Sequence, residues 1–88
     1  MKKENGAIAL DELRISLEKD LFDRFGPVMT GESLIKSLGY SSKDAFRQSI
    51  VRKTVPVQLF EIEGRRGKFA LTKDVACYLA ERRFNSTI

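Results

Sequence analysis

The chain is punctuated at four places. Gly26-Pro27, Gly39, Val55-Pro56 and the run Gly64-Arg65-Arg66-Gly67 interrupt it, and a continuing helix or central strand tolerates none of these interruptions well. The pieces between them are short, so they have to share one core, and 88 residues suggest one small domain with little stability to spare.

The first piece reads as a helix from Ala7 to Phe25, with Leu10, Leu13, Leu17 and Leu21 at steps of three and four. Ile8, Ile15 and Phe22 form a second apolar stripe at heptad spacing on another side. A small domain covers one stripe easily. Either the remaining chain wraps both, or the second stripe meets another copy of the chain.

After the Gly-Pro break, Thr30 is placed to cap a short helix carrying Leu34, Ile35 and Leu38, and Gly39 stops it. Ser41 or Ser42 caps a third helix running to about Lys53. On a 100° wheel, Ala45, Phe46, Ser49 and Ile50 share one face. Lys43, Asp44, Arg47, Gln48, Val51 and Arg52 lie on the opposite arc. Two short helices joined by a glycine-bearing turn make a helix-turn-helix pattern. Arg47 and Gln48 are the side-chain types that bind guanine and adenine edges in a bidentate way.

The segment "VQLFEIE" alternates loosely and "KFAL" is a short strand, which makes Gly64 to Gly67 the tip of an expected hairpin. Gly67-Lys68 superficially suggests a phosphate-binding glycine loop. Such a loop needs six-residue spacing, a Ser or Thr after the lysine and a following helix N-terminus. Here the glycines are three apart and Phe69 follows Lys68, so the segment reads as a basic hairpin tip. Thr72 is placed to cap a last helix to about Arg83, with Val75, Ala76, Leu79 and Tyr78 inward. Residues 1–6 and 85–88 are expected to fray.

Charge separates the two halves. Residues 1–29 hold five basic and six acidic groups, a net of −1, which leaves +5 on residues 30–88 of the total +4. A basic balance concentrated in this way suits a polyanion. Catalysis has little material: there is no histidine and one cysteine, Cys77, so nucleophile–histidine pairs, histidine-ligated metals and cysteine zinc clusters have no basis. Asp11 and Glu12 are helix neighbours that point apart, as solvated carboxylates do. The expectation is no enzyme, no catalytic residue, no metal and no cofactor. The lone cysteine suggests a reducing compartment, and the apolar run from Ala7 stops at Asp11, too short for a leader or a membrane span. A cytoplasmic location is therefore expected, nucleoid-associated if the polyanion is DNA.

The ordered set "SLGYSSKDAFRQSI" then "TVPVQLFEIEGRRGKFALTKDVACYLAER" resembles the winged helix-turn-helix DNA-binding domains of the excisionase and MerR-like group, including small phage and plasmid regulators. The correspondence covers about residues 29–82. It comprises a leucine-glycine turn, a serine-capped recognition helix with Phe46-Arg47, a proline-led strand, a basic wing and a closing helix. The third helix is one residue longer than the usual pattern and the hairpin is longer than many wings; residues 7–25 have no counterpart.

The resemblance implies an α+β, mostly helical fold: a winged helix-turn-helix over 29–84 with a two-stranded wing, an extra N-terminal helix within 1–28, and a short tail at 85–88. It implies double-stranded DNA as partner. Ser42, Lys43, Arg47, Gln48, Arg52 and Lys53 would contact it from the recognition helix, and Arg65, Arg66 and Lys68 from the wing. Ile8, Ile15 and Phe22 would mediate a homodimer or a cooperative DNA-bound oligomer. The function implied is a small transcriptional regulator. The alternatives are a recombination directionality factor that bends DNA beside an integrase, and a protein-interaction module that uses the N-terminal helix without DNA. An integrase or RNA polymerase could be a protein partner; a membrane is not expected.

Overall fold

The computed structural model describes the backbone of residues 2–85 and the side chains of residues 9–85. Among these residues the chain forms α1 (Lys2–Phe25), β1 (Val28–Thr30), α2 (Gly31–Ser37), α3 (Lys43–Arg52), β2 (Phe69–Leu71) and α4 (Thr72–Asn85). It is a mostly helical α+β domain with one antiparallel pair of strands. No helix among the described residues is long and apolar enough to cross a membrane.

Helix α1 begins at Lys2 rather than at Ala7, because its first residues carry no apolar stripe to mark them. Its stripe of Leu10, Leu13, Leu17 and Leu21 is half-buried, and α1 lies along α4 in the most extensive contact between elements. Helix α4 buries Val75, Ala76 and Ala80 completely; the two alanines let neighbours approach closely. Ile15 and Phe22 stay 57% and 50% exposed, so the rest of the chain does not wrap the second stripe. The side chain of Ile8 lies outside the described residues.

At the end of α1, Gly26 adopts φ +79° and its N–H donates to the Phe22 carbonyl at 2.8 Å, as a left-handed glycine at a helix C-terminus does. Thr72 then locks this turn from the far end of the chain. Its N–H donates to the Pro27 carbonyl at 2.9 Å and its hydroxyl to the Gly26 carbonyl at 2.6 Å. Thr72, expected as a cap, is the first residue of α4 and is 1% exposed.

The sheet differs from expectation. The pairing anticipated inside a hairpin of "VQLFEIE" with "KFAL" is made instead between β1 and β2, with Val28 opposite Leu71, Met29 opposite Ala70 and Thr30 opposite Phe69. The 57–63 segment contributes one bridge, Phe60 with Phe69, through reciprocal backbone hydrogen bonds of 2.9 and 2.8 Å. The reason is burial. Met29 and Ala70 are 1% and 0% exposed, so their pairing seals the core, whereas Glu61 and Glu63 beyond Phe60 face solvent and add no apolar area to continue the ladder.

Met29, Leu34, Ile35, Leu38, Phe46, Val57, Ala70 and Val75 form one buried cluster, with Leu21, Phe25, Tyr40, Ile50 and Leu79 packed at its edge. It draws on α2, α3, both strands and α4, and so fixes how α3 is presented.

Candidate nucleic-acid interface

Helix α3 is held by its start, its end and a part-buried hydroxyl chain. Ser42 is extended, and its side chain accepts from the Ala45 N–H at 3.1 Å, an N-cap that fixes the first turn. Lys53 closes the helix in the left-handed region at φ 59°, and its N–H and that of Thr54 donate to the Ile50 and Ser49 carbonyls. Between these ends the Ser49 hydroxyl lies 2.6 Å from the Tyr40 hydroxyl and 2.7 Å from that of Thr54. Tyr40 also packs edge-on against Phe46, with ring centroids 5.4 Å apart. The turn before α3 and the turn after it are thus tied to the same buried serine. The helical wheel placed Ser49 inward but gave it no partner; neither tyrosine nor threonine marks that link in the sequence.

The segment 60–69 is built on similar anchors. A tight turn closes when the Arg65 N–H donates to the Ile62 carbonyl at 2.9 Å, with Gly64 at φ +79° in the position that a type II turn gives to glycine. At the base, the Thr30 hydroxyl donates to the Lys68 carbonyl at 2.7 Å. Thr30 marks the start of α2 as expected, but its side chain makes no cap bond; it ties the basic loop to β1 instead. Lys68 donates from Nζ to Glu61 Oε2 at 2.9 Å, and this hydrogen bond, with the charge of Lys68, holds the Glu61 carboxyl below its ordinary pKa.

These anchors bring part of the expected site together. Lys43 and Arg47 of α3 and Arg66 and Lys68 of the loop line one cleft of about 450 Å³. Ile35, Phe46 and Ile50 supply its apolar wall, and Thr30, Gly31 and Gly67 complete the rim. Ser42, Gln48, Arg52, Lys53 and Arg65 are exposed and lie outside that lining. Lys43, Arg52, Lys53, Arg65 and Arg66 make no ion pair with another described residue. Arg47 approaches Asp44 at 3.6 Å with both side chains largely exposed, a pairing that holds the guanidinium weakly. Lys68 is the most firmly engaged of the expected cations.

Sequence reasoning missed Thr30 and Glu61 as the groups that position the loop. It also did not single out Val51, which stands 80% exposed on α3. Cys77 lines a separate hollow with Asp74 and Glu81; burial first, then the Glu81 charge, raises its thiol pKa, so the reactive thiolate is disfavoured.

Comparison with protein-family models, with curated proteins and with solved structures finds no match to this chain.

Proposed function

We propose that this chain is a winged helix-turn-helix DNA-binding protein of the kind found on mobile elements, acting as a small transcriptional regulator without catalysis of its own. The observation that carries the reading is the convergence of Lys43, Arg47, Arg66 and Lys68 from α3 and the 60–69 loop on one cleft. A helix and a loop with cationic side chains lining the recess between them suit a duplex whose backbone runs between the two. The order of elements from α1 through β1, α2, α3 and the Phe60–Phe69 loop supports the same reading.

In this arrangement α3 enters a major groove. Lys43, Arg47 and Gln48 face base edges, while Arg52 and Lys53 approach phosphate and the Ser42 hydroxyl lies near the backbone. Arg65, Arg66 and Lys68 lie along the adjacent minor groove or backbone. Lys68 keeps Glu61 beside it, so Arg65 and Arg66 carry most of the loop's attraction to phosphate.

A second copy of the chain would pack on the outer face of α1, where Ile15 and Phe22 line a shallow groove with Glu18, Lys19 and Asp23. An antiparallel pair centred on Ile15 stacks Ile15 on its counterpart and brings Lys19 opposite Glu12 of the other copy, one turn away on the same flank. Such a dimer favours a regulator reading two spaced half-sites over a directionality factor binding adjacent repeats. The same two exposed residues also support a second reading, in which α1 docks on a different protein, an integrase or a polymerase among the candidates, and the basic face is solvation.

Fluorescence anisotropy with labelled duplexes across a salt series separates them. About five phosphate contacts give a log–log salt slope of roughly −4 to −5. No duplex binding at moderate salt would remove the DNA reading and turn the search to protein partners of α1.

A further inference from the structure

We infer that Val51 reads the 5-methyl group of a thymine, making it a specificity-determining residue of α3; the inference rests on the DNA-binding reading above. Asp44, Arg47, Gln48 and Val51 fall at i, i+3, i+4 and i+7, one ridge of the helix. That ridge lies opposite the buried Phe46 and Ser49. At about 1.5 Å per residue it is roughly 10 Å long, the reach of about three base-pair steps.

Val51 is the anomaly on that ridge. It is 80% exposed, the most exposed large apolar side chain among the described residues. A β-branched residue is also a poor choice for an exposed helix position, because its side chain loses rotamer freedom there. Nothing in the core uses it, and its ridge neighbours Asp44, Arg47 and Gln48 are all exposed and polar. A single apolar group among polar ones is too small a patch to dock a protein. It does match a major groove, where the bases offer hydrogen-bonding edges and one apolar group, the thymine methyl.

The rest of the ridge suits the same surface. Arg47 and Gln48 can bond guanine and adenine edges, and an aspartate accepts from the cytosine amino group, which gives Asp44 a use at a face where an acid otherwise repels phosphate. Val51 lies about 4.5 Å along the axis from Gln48, so the thymine it touches belongs to the base pair next to the one Gln48 reads.

The test begins with selection of binding sequences from a randomised duplex pool. The enriched duplex is then resynthesised with deoxyuridine replacing each thymidine singly, which removes only the methyl group. Wild-type affinity is expected to fall about fourfold at one position, the worth of one buried methyl-sized group. Val51→Ala is expected to bind the thymidine duplex about as weakly and to ignore the same replacement. Circular dichroism confirms that the variant is folded.

Wild-type indifference to every replacement overturns the inference, as does a Val51→Ala variant that keeps the loss. Binding without any enriched sequence also overturns it and leaves the DNA-binding reading standing. If the wild type binds no duplex, both fall together.

Discussion

Thr72 sits where two ends of the domain meet, and it does so with two donors. Its N–H and hydroxyl reach the Pro27 and Gly26 carbonyls across a buried site, so Thr72→Val keeps the shape and the backbone bond but leaves the Gly26 carbonyl short of a partner. Stability is expected to fall by about 1–3 kcal/mol, read from the midpoint of urea unfolding. Glu61 and Lys68 behave differently because both are exposed to water. Lys68 lowers the folded-state pKa of Glu61, so the pair's contribution is present above the unfolded carboxylate value. It disappears as pH falls through the lowered folded-state value. Following the Glu61 carboxyl and Lys68 Nζ resonances by NMR through an acid titration should show both move together, at a pH below the ordinary carboxylate range. Lys68→Met should return Glu61 to the ordinary range.

At the level of elements, α3 depends on contacts of two kinds. Its cap is local: Ser42→Ala removes the acceptor for the Ala45 N–H and is expected to destabilise the domain by about 0.5–2 kcal/mol, measured by thermal unfolding. A cap at Ser41 or Ser42 was legible in the sequence, as were the four helices, because capping residues, apolar steps and breakers act within a few positions of where they stand. The β1–β2 pairing was not legible. Residues 28–30 and 69–71 are too short to show a period, and their pairing is chosen by a core that only the whole chain assembles. The threonines make the same point. Thr30 and Thr72 were recognised as helix starts, yet their hydroxyls bond groups 38 and 46 residues away, which no local pattern encodes. Of the candidate site, residue types and the division of α3 into two faces could be read, but the joining of Lys43 and Arg47 to Arg66 and Lys68 could not. It depends on the Thr30–Lys68 bond, which spans 38 residues of sequence, acting with the local Phe60–Phe69 bridge.

For the molecule as a whole, the separation of charge and apolar exposure suggests a division of labour. Four basic residues, Lys43, Arg47, Arg66 and Lys68, converge on the α3–loop cleft, while Ile15 and Phe22 remain exposed on a helix whose half of the chain is slightly acidic. If these surfaces act independently, each can be disabled without the other. Replacing Arg65 and Arg66 with alanine should weaken binding to every duplex and make the salt slope shallower by about one to two units, since each phosphate contact contributes about 0.9, while the mass in solution stays the same. Ile15→Glu with Phe22→Glu should reduce the mass to one chain in analytical ultracentrifugation, with helical content retained because neither side chain belongs to the core. Its effect on DNA then distinguishes the arrangements. A regulator that needs two copies loses affinity for a two-half-site duplex but keeps it for a single half-site. A chain whose parent form never exceeds one copy has no dimer to lose, and the exposed face of α1 must then serve another protein.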